Sequence, residues 1–294
     1  MIEFEILARG LYRSDQVAIT YDPSLRMPTI PAIQQWMDAL WQQQLASAQQ
    51  EGYPLYDSQL FRFVHAETWH EGQVEEGNNR LRLVLSDTSY KEYTTTRVPE
   101  FAHEHSRQEL SNALAVCSVI ETSDGYILYE QRRNVAVYVG RYHVIGGFFE
   151  RNLDTTMTNA TNATSATSAT SATNPDPFVA IRREIREETG IQATDIAEQY
   201  CLGVVYDLAT PHAEACFLTR LCIPLNEVHQ RVPEDDEIQH LLSLYVMEES
   251  LRDFILANHG NISATGEPNL LLYGAVKFGE EWFDEMMARL VSIT

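Results

Sequence analysis

The run Arg183-Glu184-Ile185-Arg186-Glu187-Glu188-Thr189-Gly190-Ile191 constrains this chain more than any other stretch. It predicts a helix that closes at Gly190, because a glycine just past the last helical turn adopts the left-handed conformation that ends a helix. At about 100° of rotation per residue, Glu184, Glu187 and Glu188 fall on one face. Three carboxylates on one face repel one another, and a solvated helix gains nothing from them. A hard divalent cation needs such oxygen ligands. Arg183 stands four residues before Glu187, the spacing at which helical side chains pair. A solvated face is the ordinary meaning of a Glu/Arg-rich run, so the order of the residues has to carry any stronger reading.

The chain of 294 residues is long for one minimal catalytic domain, and its 44% hydrophobic content supports a substantial core. A net charge of −21 argues against non-specific binding to nucleic acid or to an anionic membrane. An anionic substrate would need a bound metal or a local basic patch. Cys117, Cys201, Cys216 and Cys222 form no CxxC pair. Cys117, Cys216 and Cys222 lie in apolar, strand-like runs where buried free thiols are expected. The start, Met1-Ile2-Glu3-Phe4-Glu5, has neither the basic nor the apolar segment of a signal peptide, and no long apolar run follows. The expectation is a cytoplasmic protein with reduced thiols.

Residues 2–11 read as a strand or strand pair. Residues 31–50 read as an amphipathic helix whose Trp36 and Trp41 belong to the core. Residues 63–69 and 80–86 read as strands, the second with Leu81, Leu83 and Leu85 on one side. The hydroxyl- and aromatic-rich stretch from Thr88 to Thr96 follows where that strand ends. It is a polar loop on the plain reading. On the functional one, Thr88, Ser89, Tyr90 and Lys91 line a pocket for a base, ribose or sugar. Residues 114–120 and 126–132 form a hairpin around Ser123-Asp124-Gly125. Arg132 and Arg133, at its end, are candidates to hold phosphate, with a salt bridge to a nearby carboxylate as the competing role. From Thr155 to Thr173 the chain repeats Asn-Ala-Thr and Ser-Ala-Thr, too poor in apolar residues for a core, and reads as a flexible exposed loop. Asp176 is a good N-cap with Pro177 behind it. Strands near 200–206, 215–223 and 241–247 and helices over 250–258 and 279–293 complete the pattern.

The order Arg183 to Ile191 resembles the second half of the Nudix box, G-x5-E-x7-R-E-U-x-E-E-x-G-U (U, bulky aliphatic), at every defined position. Val144-Ile145-Gly146-Gly147-Phe148-Phe149-Glu150 resembles its V-P-G-G-x-x-E opening, with Ile145 in place of proline. The resemblance implies an α/β (α+β) fold: a Nudix α-β-α sandwich around a mixed sheet over residues 109–294, preceded by an N-terminal α+β extension over 1–108 that contributes to the substrate pocket. The box is split. Gly147 and Arg183 stand 36 positions apart, so about 22 residues are inserted, around the 155–174 tract. The family's first glutamate falls on Leu153 counted from Gly147 and on Pro175 counted back from Arg183. Asp154 or Asp176 could replace it, or Glu150 could neutralise Arg183.

An inserted box, with Leu55-Tyr56-Asp57, Phe61-Arg62, Leu81-Arg82-Leu83, Thr88 to Tyr93 and Leu202-Gly203-Val204-Val205, is similar to the Nudix enzymes that hydrolyse UDP-glucose and UDP-galactose. That likeness implies Mg2+, with Mn2+ as a substitute, held by the Gly147 carbonyl and by Glu184, Glu187 and Glu188. Arg183 would orient these carboxylates. Glu237, and after it Glu234, would supply a further ligand or base from a later loop. The partner is then a small nucleoside diphosphate sugar, cleaved to UMP and a sugar 1-phosphate. An ADP-ribose or ADP-sugar pyrophosphatase is the alternative within the fold, and a non-catalytic nucleotide-sugar sensor the alternative outside enzymes.

Overall fold

The computed structural model describes residues 1–70, 79–133, 137–157, 173–234 and 241–293. The chain opens with β1 (Phe4–Tyr12) and β2 (Val17–Tyr21), then α1 (Pro31–Glu51), which ends at Gly52 with φ 79°. β3 (Gln59–His70) and β4 (Asn79–Ser89) follow, then α2 (Tyr90–Thr96) and α3 (Pro99–Ala102). The second part holds β5 (Leu114–Glu121), β6 (Tyr126–Gln131), β7 (Tyr142–His143), β8 (Ile145–Phe148), β9 (Thr155–Met157), β10 (Thr173–Pro175) and α4 (Pro177–Thr189). It closes with β11 (Ile196–Asp207), β12 (His212–Leu221), α5 (Leu225–Val228), β13 (Leu241–Tyr245), α6 (Glu248–Ala257), α7 (Gly266–Phe278) and α8 (Glu280–Ser292).

The central sheet runs β1-β11-β12-β5-β6-β13, with β7 on β6 and β8 on β5. It is mixed: β12 and β5 pair in parallel, and the other ladders are antiparallel. Because side chains alternate across a strand, β5 feeds two cores. Val116 and Ile120 cluster with Phe178, Ile181 and Ile185 of α4. Cys117 and Val119 cluster with Leu270, Leu271 and Tyr273 of α7 and with Trp282 and Met286 of α8. Each of those large apolar side chains contributes about 1.5–3 kcal/mol by leaving water. The result is an α-β-α sandwich, as expected, with α4 on one face and α7 and α8 on the other.

The N-terminal region is not separate from this sheet. β1 is its edge strand, paired with β11 from Phe4 opposite Asp207 to Tyr12 opposite Cys201. The rest of the region forms a three-stranded sheet, β2-β4-β3. The buried Arg62 guanidinium ties it down by donating to the carbonyls of Leu25, Gln108 and Leu110 at 2.9, 2.8 and 3.2 Å.

Several local readings change. Trp41 is core, but Trp36 is 36% exposed and stacks on Phe101 at 4.9 Å. Thr88 to Thr96 is no loop: the strand continues to Ser89, whose hydroxyl caps α2 by accepting from the Glu92 amide at 3.3 Å. Thr94, Thr95 and Thr96 turn back to carbonyls one turn earlier and are buried, which the hydroxyl-rich composition did not announce. Cys222 lies just past β12 and is exposed; Cys117, Cys201 and Cys216 are buried free thiols. The described ends of the repeat tract pair as a short ladder, Thr155 opposite Pro175 and Met157 opposite Thr173; residues 158–172 lie outside the described residues. Among the described residues, no helix is long and apolar enough to cross a membrane.

Candidate active site

α4 is capped at both ends as its sequence dictates. The Asp176 carboxylate accepts from the amides of Phe178 and Val179 at 2.9 and 3.3 Å, and Pro177 occupies the first turn. At the other end Gly190 has φ 72° and donates to the Arg186 carbonyl at 2.8 Å. A Cβ there would lie 2.4 Å from the Val232 carbonyl oxygen, so position 190 needs glycine for space as well as conformation.

These caps fix the phase of the helix, and phase places the charges. Arg183 sits at the centre of an acidic cluster. Its Nε and Nη2 donate to the two oxygens of Asp154 at 2.8 Å each, and Nη2 also reaches the Phe148 carbonyl at 3.0 Å. Its Nη1 stands 2.9 Å from both Glu184 Oε1 and Glu187 Oε2. Asp154 is fully buried. Its Oδ2 also accepts from the Glu150 amide at 2.8 Å, closing the turn after β8. Asp154 is thus the residue that answers Arg183 across the interrupted box, while Asp176 serves as the cap. Asp154 stands one position beyond Leu153, where the spacing of the resembled motif would put a glutamate.

Electrostatics follow from burial. Glu184 is 8% exposed, and burial raises its carboxyl to about 8 against the opposing pull of Arg183, with Glu187 and Asp154 adding to the rise. Glu150 is half-buried and its carboxyl is likewise raised by burial, again opposed by Arg183. Gly147 lies against this cluster: a Cβ at 147 would meet the Glu184 carboxylate at 2.6 Å. A bare backbone beside a buried carboxylate, with every nearby donor a hard oxygen, fits Mg2+ or Mn2+ in residue type. Among the described residues, however, no group of three or more His, Cys, Asp or Glu side chains is gathered as a metal cage; Arg183 bridges the carboxylates.

The other candidates separate. Tyr90 comes to the site, its ring 5.8 Å from Phe148, the residue after Gly147. Thr88 and Ser89 are buried within the fold, Thr88 Oγ1 bonding Glu92 Oε2 at 2.9 Å and Ser111 Oγ at 2.6 Å. Lys91 pairs with Asp38 of α1. Arg132 stands 3.8 Å from Glu130 and donates to the Val137 carbonyl at 3.3 Å. Arg133 is exposed, with Gln131 Oε1 3.4 Å away. Glu237 lies outside the described residues. Glu234, at the start of the same acidic loop, is anchored at α4: its amide donates to the Glu187 carbonyl at 2.8 Å and its carboxylate pairs with Arg186 at 3.0 Å.

Sequence reasoning missed a second polar network, on the α7 side of the sheet. Glu214 on β12 is flanked by His212 and His143, each 3.7 Å away, and His143 bonds Ser263 at 2.6 Å. All four are buried. Burial alone disfavours the imidazolium of His212, but Tyr93, Glu214 and Asp207 together raise it to about 10. Glu214 is held well below the usual carboxylate range, burial being outweighed by the two imidazoles. No motif marks these residues, because strand pairing alone brings them together. The signs are definite. A histidine raised in the folded state stabilises fully below its free value of 6.5 and loses that contribution as pH rises through about 10. A depressed carboxylate contributes above its free value of 4.5 and loses it as pH falls through its lowered folded value. We expect wild-type stability in urea to fall between pH 7 and 10 relative to His212→Gln; parallel curves would remove the charged pair.

No protein-family model and no curated protein matches the chain. Among solved structures, the chain is similar to the Nudix domain of Shewanella oneidensis NrtR complexed with ADP ribose, at 13% identity and TM-score 0.36, over 63% of this chain and 97% of that one. It is similar to DR0079 from Deinococcus radiodurans at 17% identity and TM-score 0.34, over 54% and 80% of the two chains. It is also similar to a bifunctional NMN adenylyltransferase/ADP ribose pyrophosphatase from Francisella tularensis, complexed with AMP and a Mn ion, at 14% identity and TM-score 0.35. There it covers 56% of this chain and 42% of that one, less than half of that protein. At these scores the likenesses carry no argument about the chemistry of this chain, which rests on its own residues.

Proposed function

We propose that this protein is a Nudix hydrolase that cleaves the pyrophosphate bond of a nucleoside diphosphate sugar with Mg2+, UDP-glucose or UDP-galactose giving UMP and a sugar 1-phosphate. The observation that carries the reading is the cluster at Arg183, which joins Glu184, Glu187 and Asp154 beside Gly147. It joins the two halves of a box that 36 positions separate in sequence. Glu184, Glu187 and Glu188, with the Gly147 carbonyl, would hold the metal. Bound there, Mg2+ supplies charge neutralisation for the diphosphate oxygens and a lowered pKa for attacking water. Arg183 keeps the carboxylates in register through charge-assisted hydrogen bonds. Glu237, three positions after Glu234 in the same acidic stretch, would supply a further ligand or base. Tyr90, whose ring lies 5.8 Å from that of Phe148, would offer an aromatic face to the nucleoside, and through it residues 1–108 would contribute to the pocket. The likeness in the Thr88 to Tyr93 block and the split box favour uridine.

A panel of nucleotide sugars with Mg2+, read by product identification, tests this. UDP-glucose or UDP-galactose is expected to yield UMP and the sugar 1-phosphate. Turnover confined to ADP-ribose or ADP-sugars would overturn the base. Binding without turnover of any member would favour a sensor.

A further inference from the structure

The turn that carries Asp154 is held from outside the sandwich. The β3 edge not paired with β4 runs along residues 149–151: the Phe61 amide donates to the Phe149 carbonyl at 3.0 Å and the Arg151 amide to the Gln59 carbonyl at 2.9 Å. Leu60 bridges Glu150 in antiparallel register between them. The Arg151 side chain then reaches over to β4, Nε standing 3.1 Å from Asp87 Oδ1. The same Asp87 oxygen accepts from the Tyr21 hydroxyl of β2. β3 and β4 therefore hold Arg151 of the turn directly, and β2 braces it through Asp87. Asp87 keeps only 13% of its side chain exposed, so this pair is shielded more than a surface ion pair.

A cavity of about 270 Å³ lined by Tyr21, Phe61, Arg151, Asn152 and Thr155 adjoins the pair. Close packing does not fix Arg151 on that side, so its position rests on the backbone ladder, on Asp87 and on a longer bond from Nη1 to Gln59 Oε1 at 3.4 Å. From Arg151 the coupling is short: Glu150 and Asp154 exchange hydrogen bonds, carbonyl to amide at 3.0 Å and carboxylate to amide at 2.8 Å, and Asp154 holds Arg183.

We infer that Asp87, with Tyr21, is a positioning residue that acts through Arg151 to hold the 149–154 turn, and so sets where Asp154 places Arg183 among its carboxylates. The inference rests on the proposed hydrolase reading for its effect on turnover, but not for the clamp itself. Three readouts test it in Asp87→Ala, Arg151→Ala and the conservative Arg151→Lys. Amide exchange of Glu150 and Asp154 in metal-free protein is expected to quicken about tenfold in both alanine variants, with β11 and β12 unchanged. Mn2+ affinity is expected to fall about fivefold, less than the roughly 10- to 100-fold seen when a residue bonded to a metal ligand is removed, because Asp87 acts through Arg151 and the turn. kcat on the best nucleotide sugar is expected to fall about fivefold with KM within twofold, and Arg151→Lys to recover part of each loss. Unchanged exchange at 150 and 154 would overturn the clamp. Faster exchange there with unaltered Mn2+ affinity and kcat would overturn its positioning role, as would equal acceleration in β11 and β12, which is general destabilisation. If wild type hydrolyses nothing on the panel, the hydrolase reading fails, while exchange and Mn2+ affinity still decide the clamp.

Discussion

On the proposed hydrolase reading, Glu187→Gln is expected to lower kcat for the nucleotide sugar by about 10²- to 10⁴-fold, the span that a positioned general acid or base contributes, and to leave the thermal midpoint nearly unchanged. The two expectations have separate causes. Glu187 keeps 27% of its side chain exposed and lies between two guanidinium groups, Arg183 at 2.9 Å and Arg186 at 3.2 Å. A half-solvated pair of this kind contributes on the order of 1 kcal/mol or less. The amide of glutamine still fits that space, so the fold survives. What it loses is a full negative charge on a hard oxygen, which a divalent cation needs from its ligands. Glu184→Gln supplies the contrast. Its carboxyl is already raised to about 8, with burial the largest cause, so removing the charge relieves a cost in the metal-free protein while still depriving the metal of a ligand. Activity should fall in both variants, and metal-free stability should hold or rise in the second. Turnover in Glu187→Gln equal to wild type, measured at saturating Mg2+, would remove the helix face from the chemistry.

Helix α4 is legible from its residues because its signals are local. Asp176, Pro177 and Gly190 act within one turn of themselves, and the Glu184, Glu187 and Glu188 face follows from rotation per residue. The sandwich was legible for a related reason: apolar runs such as Leu114 to Ile120 are buried on both sides, and that demands a layer on each. What stayed hidden depends on tertiary neighbours. Tyr90 to Thr96 is helical because Ser89 caps it and because buried threonines bond back to carbonyls, although the composition resembles a polar loop. Thr88 and Ser89 carry the right groups for a ligand, yet Ser111 and the start of α2 engage them. Lys91 faces Asp38, from a helix more than fifty positions earlier in the chain. Asp154 was legible only as one of several acids, since a box interrupted by an insertion no longer counts residues reliably.

Asp154→Ala should have the largest effect on stability, about 3–5 kcal/mol, the cost of breaking a buried ion pair and leaving one partner behind. The carboxylate is fully buried and accepts three hydrogen bonds at 2.8 Å, two from Arg183 and one from the Glu150 amide. Alanine strands the amide and leaves Arg183, itself only 11% exposed, with less anionic compensation on one side. Asp154→Asn is the sharper experiment. It keeps the volume, and its carbonyl oxygen in the Oδ2 position can still accept from the Glu150 amide and Arg183 Nη2, but its NH2 group would have to face the Arg183 Nε donor. Urea unfolding should place it between wild type and alanine. Asp154→Glu should also be destabilised despite keeping the charge, because an extra methylene at a site with no exposure must displace either the 149–154 turn or α4. A glutamate here that matched wild type in stability and kcat would mean that the turn accepts the longer side chain, and that the register between Gly147 and Arg183 is set elsewhere. Loss of kcat in Asp154→Asn beyond its loss of stability, measured well below its unfolding midpoint, would tie the pair to turnover, since Arg183 then remains folded in place but is no longer aimed at Glu184 and Glu187.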